Sequence, residues 1–153
     1  MKWNVKDVKE IIDECDMILN HKSKLVIKHN GKLKSTLARY ISRNNKEKTP
    51  IAIEVGTDIM NVPDRKALSD VVKHEYAHYY SMSVLKTSNG HDREFRRVCK
   101  LLGTENDKAK CNDFIKKQLI EARQPSQEQE MAFYKMLKRM MEQQQKQTIG
   151  STK

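Results

Sequence analysis

Residues 74 to 80 read HEYAHYY, which sets His74 and His78 four residues apart with Glu75 directly after the first. A helix advances by about 100° per residue, so the two imidazoles fall within about 40° of each other and one turn apart. Two ring nitrogens at that spacing form a chelate. Zinc accepts nitrogen ligands at about 2.0–2.1 Å in a tetrahedral shell and suits such a pair. Glu75 is turned by about 100° from His74, where it reaches a water beside the ion without itself closing the shell. A metal lowers the pKa of such a water toward neutrality, and a carboxylate that removes the proton readies it to attack a carbonyl carbon. The implied reaction is amide hydrolysis. Histidines on a core helix are more often packed and hydrogen-bonded than ligating, and HExxH strings also arise by chance, so a third ligand must decide between the readings.

His91 is the leading candidate, because the glycine-containing break TSNG lets the chain reverse and bring that imidazole back across the motif helix. Asp92 and Glu94 are nearby alternatives. His91 and Glu94 are read as projecting apart, so that only one faces the ion, and His91 is preferred. Three neutral imidazoles leave zinc at +2 with one position for water, as a catalytic site needs.

The elements that must hold these residues follow from periodicity. Val5, Val8, Ile11, Ile12, Cys15, Ile18 and Leu19 recur at helical spacing and predict an amphipathic helix over 5–19. Residues 24–29 and 32–43 alternate around Asn30-Gly31, a dipeptide suited to the positive φ angles of a tight hairpin, and predict two strands. PIAIEV follows as a third strand, with Pro50 at its start where no N–H is needed. The motif helix starts at Pro63 or Asp64, and a short helix carrying Phe95, Val98 and Leu102 stops at Gly103. A helix over about 107–122 ends before Pro125, and a last Met-bearing helix decays into a polar, frayed end.

The stretch KALSDVVKHEYAHYYSMSVLKTSNGHDREFRRVCKLLG resembles the core of the SprT-like zinc metallopeptidases, an HExxH helix followed after a short loop by GHxxxF. STLARYISR, IAIEVGTDIM and NVPDRKALSDVV resemble that family's strands and entry into the motif helix, so the likeness spans about 24–103. It implies a zincin-like α+β domain, one catalytic zinc on His74, His78 and His91, Glu75 as base, and proteolysis associated with DNA, including removal of proteins crosslinked to it. The expected organisation is a single domain: a core over 1–103, in which a small antiparallel sheet packs with helices and the HExxH helix is central, and a helical extension over 104–153. Larger family members often add a Cys-type zinc ribbon, whereas the extension here has only Cys111.

Charge bears on partners. The net charge is +10, with 12 basic against 6 acidic residues over 1–50, 8 against 8 over 51–106, and 10 against 6 over 107–153. The basic flanks could follow a phosphate backbone, through Lys22, Lys24, Lys28, Lys32 and Lys34 or through Lys108, Lys110, Lys116 and Lys117, although a solvated surface is the slightly favoured reading of each cluster. The charged opening twenty residues have no apolar run for a signal peptide or membrane span, which places the chain in the cytoplasm. Cys15, Cys99 and Cys111 lie far apart and read as reduced, mostly buried thiols. His21 and His29 read as surface residues, and Tyr79 and Tyr80 as packing. Met131, Tyr134, Leu137 and Met141 form a stripe that packs back over the domain or grips a partner helix.

Two alternatives stand beside a peptidase acting on a protein substrate. One is an HExxH-type regulatory peptidase that cuts a repressor and takes a carboxylate as third ligand. The other is a non-catalytic basic DNA-binding protein with structural zinc, which would need a fourth protein ligand.

Overall fold

A computed structural model describes residues 1–87, 91–104, 108–123 and 125–151, with the side chains of 108–112, 114, 122, 123 and 148–151 left aside. The helices are α1 (Val5–Ile18), α2 (Arg65–Tyr79), α3 (Arg93–Leu102), α4 (Lys108–Arg123) and α5 (Gln127–Ser151). The strands are β1 (Ile27–His29), β2 (Ala38–Ser42) and β3 (Pro50–Val55). Two compact units are present, residues 1–120 and residues 121–153.

The first unit is an α+β body around α2. Asp64 caps α2 through Lys66 N–H, satisfying a donor that the first turn leaves without an intrahelical partner. Both flanks of α2 are covered, so Leu68, Val71, Val72, Tyr76 and Ala77 are buried. The helix packs against α1, β2 and α3. Val8, Ile11, Ile12 and Cys15 supply the buried face of α1, each of the three aliphatic side chains contributing about 1.5–3 kcal/mol on burial. Two polar links fix the α1–α2 pairing: Arg65 to Glu14 at 2.6 Å, and the Tyr76 hydroxyl donating to Asp16 at 2.5 Å. Ile115 and Leu119 of α4 belong to the same core.

The sheet is mixed, not wholly antiparallel. Its order is β1-β3-β2, with β1 parallel to β3 and β2 antiparallel to it. The expected hairpin at Asn30-Gly31 does not form. Gly31 does not take the positive φ that a type I′ turn requires. Asn30 turns the chain locally, its side chain accepting from Lys32 N–H and donating to Glu54 across β3. Residues 31–37 then pass the end of β3 and enter β2 on its other side. Gly56 permits that passage, since a Cβ there would lie 3.1 Å from the Leu37 carbonyl oxygen and 3.3 Å from the Leu33 side chain.

Beyond Tyr79 the motif helix widens into a π-helical turn, Tyr80–Val84, closed by Leu85 N–H to the Tyr80 carbonyl. Asp92 caps α3, and Gly103 ends it in the left-handed conformation at φ 73°. In the second unit, α5 is helical to Ser151 where a frayed end is expected from sequence, and Met131, Tyr134, Leu137 and Met141 are exposed. Among the described residues no helix is long and apolar enough to cross a membrane.

Candidate metal centre

The fold brings together the three imidazoles singled out from sequence. Each of His74, His78 and His91 offers one ring nitrogen, and these three atoms lie within 4.8 Å of one another. Ring centroids are 5.0 Å apart for His74–His78 and for His74–His91, and 5.1 Å for His78–His91. Burial falls across the trio: His74 is 2% exposed, His78 half-buried and His91 exposed. One side of the cluster is thus embedded in the core and the other opens to solvent, where a water or a polypeptide can approach. Three neutral nitrogen donors fit zinc by type and number, with a position to spare.

Phe95 is the platform for all three rings. It is fully buried, stacks at 4.4 Å on His78 and 4.6 Å on His91, and meets His74 edge-on at 5.1 Å. The spacing that sets Phe95 four residues after His91 is a helical repeat, yet His91 itself precedes α3. Its place is fixed by backbone instead. The Asp92 side chain accepts Phe95 N–H, and Arg96 Nε donates to the His91 carbonyl at 3.1 Å.

The two carboxylates considered beside His91 are engaged elsewhere. Asp92 is the α3 cap, and Glu94 pairs with Arg97 at 3.0 Å. Among the described residues the cluster has three members, all histidine.

Glu75 is 3% exposed. A carboxylate this deep is costly unless hydrogen-bonded. Its Oε2 accepts the backbone N–H of Tyr40 at 2.9 Å, from the edge of β2 that does not face β3. Sequence reasoning could not see this anchor, because a backbone donor 35 residues upstream leaves no residue-type signature. The Tyr40 hydroxyl meets Ser83 Oγ at 2.6 Å, and Ser83 donates to the Lys48 carbonyl at 2.5 Å, so the π-helical turn is tied to the strand that holds Glu75. Burial pushes the Tyr40 hydroxyl up from its ordinary pKa.

His21 is not simply a surface residue. Its Nε2 lies 2.8 Å from the Tyr79 hydroxyl and its ring packs edge-on against Tyr80, which links the α1–β1 connection to the end of α2. Tyr79 is a core residue whose hydroxyl burial pushes up to about 12. His29 is exposed, with Nε2 3.0 Å from Thr57 Oγ1. Cys15 and Cys99 are buried and are not joined in a disulfide. Lys22, Lys24, Lys28, Lys32, Lys34, Lys116 and Lys117 are exposed; the side chains of Lys108, Lys110 and Cys111, and the whole of Gly90 from the GHxxxF pattern, lie outside the described residues.

The family model described as the SprT-like family matches residues 8–117. No curated protein matches the chain. Among solved structures, the chain is similar to the crystal structure of the metallopeptidase zymogen of Pyrococcus abyssi abylysin, with a TM-score of 0.50 and 20% identity over 71% of this chain and 90% of that one. At that identity the likeness speaks to the fold alone.

Proposed function

The chain belongs to the SprT-like family, and from that premise we propose that it is a zinc-dependent endopeptidase. The observation that carries the reading is the convergence of three imidazole nitrogens within 4.8 Å at a half-open site, with a buried, hydrogen-bonded carboxylate beside the first of them. In this reading His74, His78 and His91 hold the ion. Zinc, when bound, supplies a Lewis acid that acidifies a water and polarises a carbonyl.

The remaining work falls to the chain. Glu75 accepts the proton that the attacking water loses, and returns it to the amine nitrogen as the peptide bond breaks. Tyr40 N–H holds one carboxylate oxygen, so the group keeps its orientation while its charge changes. Phe95 keeps the three rings in register, and Arg96 and Asp92 keep His91 beside the other two. A rival with a carboxylate as third ligand would need Glu94 to leave Arg97.

Substrates in this proposal are proteins, including proteins bound or crosslinked to DNA; the net charge of +10 supports an association with nucleic acid. We place the chain in the reducing cytoplasm, which its buried thiols, Cys15 and Cys99, outside any disulfide, suit. The test is internal cleavage of a denatured protein by the zinc-loaded chain, with products mapped by mass spectrometry. Chelation is expected to stop cleavage and zinc to restore it. Cleavage that survives complete metal removal contradicts the proposal.

A further inference from the structure

Helix α3 is divided lengthwise. Phe95, Val98, Cys99 and Leu102 recur at i, i+3, i+4 and i+7 on its buried side, while Arg93, Arg96, Arg97 and Lys100 recur at the same spacing on the opposite side. Four cations on one helical face repel their neighbours three and four residues away, an arrangement that weakens a helix unless something anionic lies along it. Lys66 of α2 faces the stripe, and together these residues line an open groove of about 680 Å³.

Among the described residues, acids pair with two of these five cations. Asp70 lines the groove and pairs with Lys66 at 2.9 Å, and Glu94 pairs with Arg97 at 3.0 Å. Among the described residues Arg93 and Lys100 have no acidic partner. Among the described residues of the lining, five cations stand against one carboxylate, a local excess of positive charge inside a segment whose total charge is zero.

We infer that this α2–α3 groove binds a linear chain of phosphates. The stripe from residue 93 to 100 spans about 10.5 Å at 1.5 Å per residue. One nucleic-acid strand carries a phosphate every ~3.4 Å of helix axis and spaces them further apart along the winding backbone itself, so the stripe reaches at least two consecutive phosphates and is longer than a single inorganic phosphate can use. Nucleic acid and inorganic polyphosphate share this chemistry. Arg96 both lines the groove and donates to the His91 carbonyl, so an occupant lies against the residue that holds the third imidazole's backbone. The described lining includes none of Lys22, Lys24, Lys28, Lys32, Lys34, Lys116 and Lys117, and the inference does not depend on peptidase activity.

The experiment is fluorescence anisotropy with a labelled mixed-sequence single-stranded DNA, competed by inorganic polyphosphate and separately by polyglutamate. Comparison is between the wild type, Arg93→Gln/Lys100→Gln, Lys100→Gln alone, and Lys32→Gln/Lys34→Gln. All four substituted side chains are exposed, and unchanged zinc content and cooperative unfolding report that each variant folds. The groove pair is expected to weaken DNA binding on the order of tenfold or more and to flatten the salt dependence by about 1.4 in slope, two single-strand phosphate contacts' worth. Lys100→Gln alone should give about half that change in slope, and the Lys32/Lys34 pair should bind as wild type. Effective competition by polyphosphate supports phosphate-chain recognition as such, and failure to compete supports nucleic acid as the source. Equal binding by wild type and the groove pair, loss confined to the Lys32/Lys34 pair, or polyglutamate competing as well as either phosphate chain would overturn the inference.

Discussion

Glu75→Gln is expected to lower the rate of peptide hydrolysis by about 10²–10⁴-fold, the range associated with losing a positioned general base, while leaving zinc content and stability close to wild type. At 1.36 kcal/mol per decade this is about 2.7–5.4 kcal/mol of barrier. The substitution is informative because of where the carboxylate sits. Glutamine keeps the length and a carbonyl oxygen, so it can still accept the Tyr40 N–H that spans 2.9 Å to Glu75, and the buried site stays satisfied. What it loses is the capacity to take a proton at neutral pH. A variant that binds zinc, melts like wild type and does not cut therefore isolates proton transfer from architecture. Equal cleavage by the two proteins would remove Glu75 from the chemistry.

The second large effect is structural and lies under the rings. Phe95→Ala deletes a fully buried aromatic side chain, which costs about 3–5 kcal/mol where the surroundings cannot collapse. Set against a typical domain stability of about 5–15 kcal/mol, that loss moves the urea midpoint of the metal-free protein far downward. Because Phe95 meets His74, His78 and His91 at 4.4–5.1 Å, zinc affinity should fall as well. Phe95→Leu, which keeps most of the apolar volume but not the flat face, separates the two roles. It should recover much of the stability and less of the affinity. Full recovery of affinity by leucine would show that Phe95 fills space without orienting the imidazoles.

Local signals carried the helical part of this architecture, and pairing between distant segments was hidden. The i, i+4 histidines, the Asp64 cap and the Gly103 stop are all determined within a few residues, and each is where its pattern puts it. The strand partners are not local. Alternation over residues 24–43 is the same whether a neighbour runs parallel or antiparallel, and Asn30-Gly31 serves as a turn that carries the chain past β3 instead of back along β1. The anchor on Glu75 was invisible because it is a main-chain donor. The basic stripe on α3 is hidden in any segment sum, because acids elsewhere in residues 51–106 cancel it, and it emerges only when the helical phase that buries Phe95, Val98 and Leu102 is used to set Arg93, Arg96, Arg97 and Lys100 on the other side.

The zinc stoichiometry of two variants compared with the wild type tests the three-imidazole centre most directly. Wild type and Glu94→Ala should each hold one zinc per chain after loading and desalting, whereas His91→Ala should lose it. A wild type that stays metal-free under every loading condition, or zinc kept by His91→Ala and lost by Glu94→Ala, would contradict it.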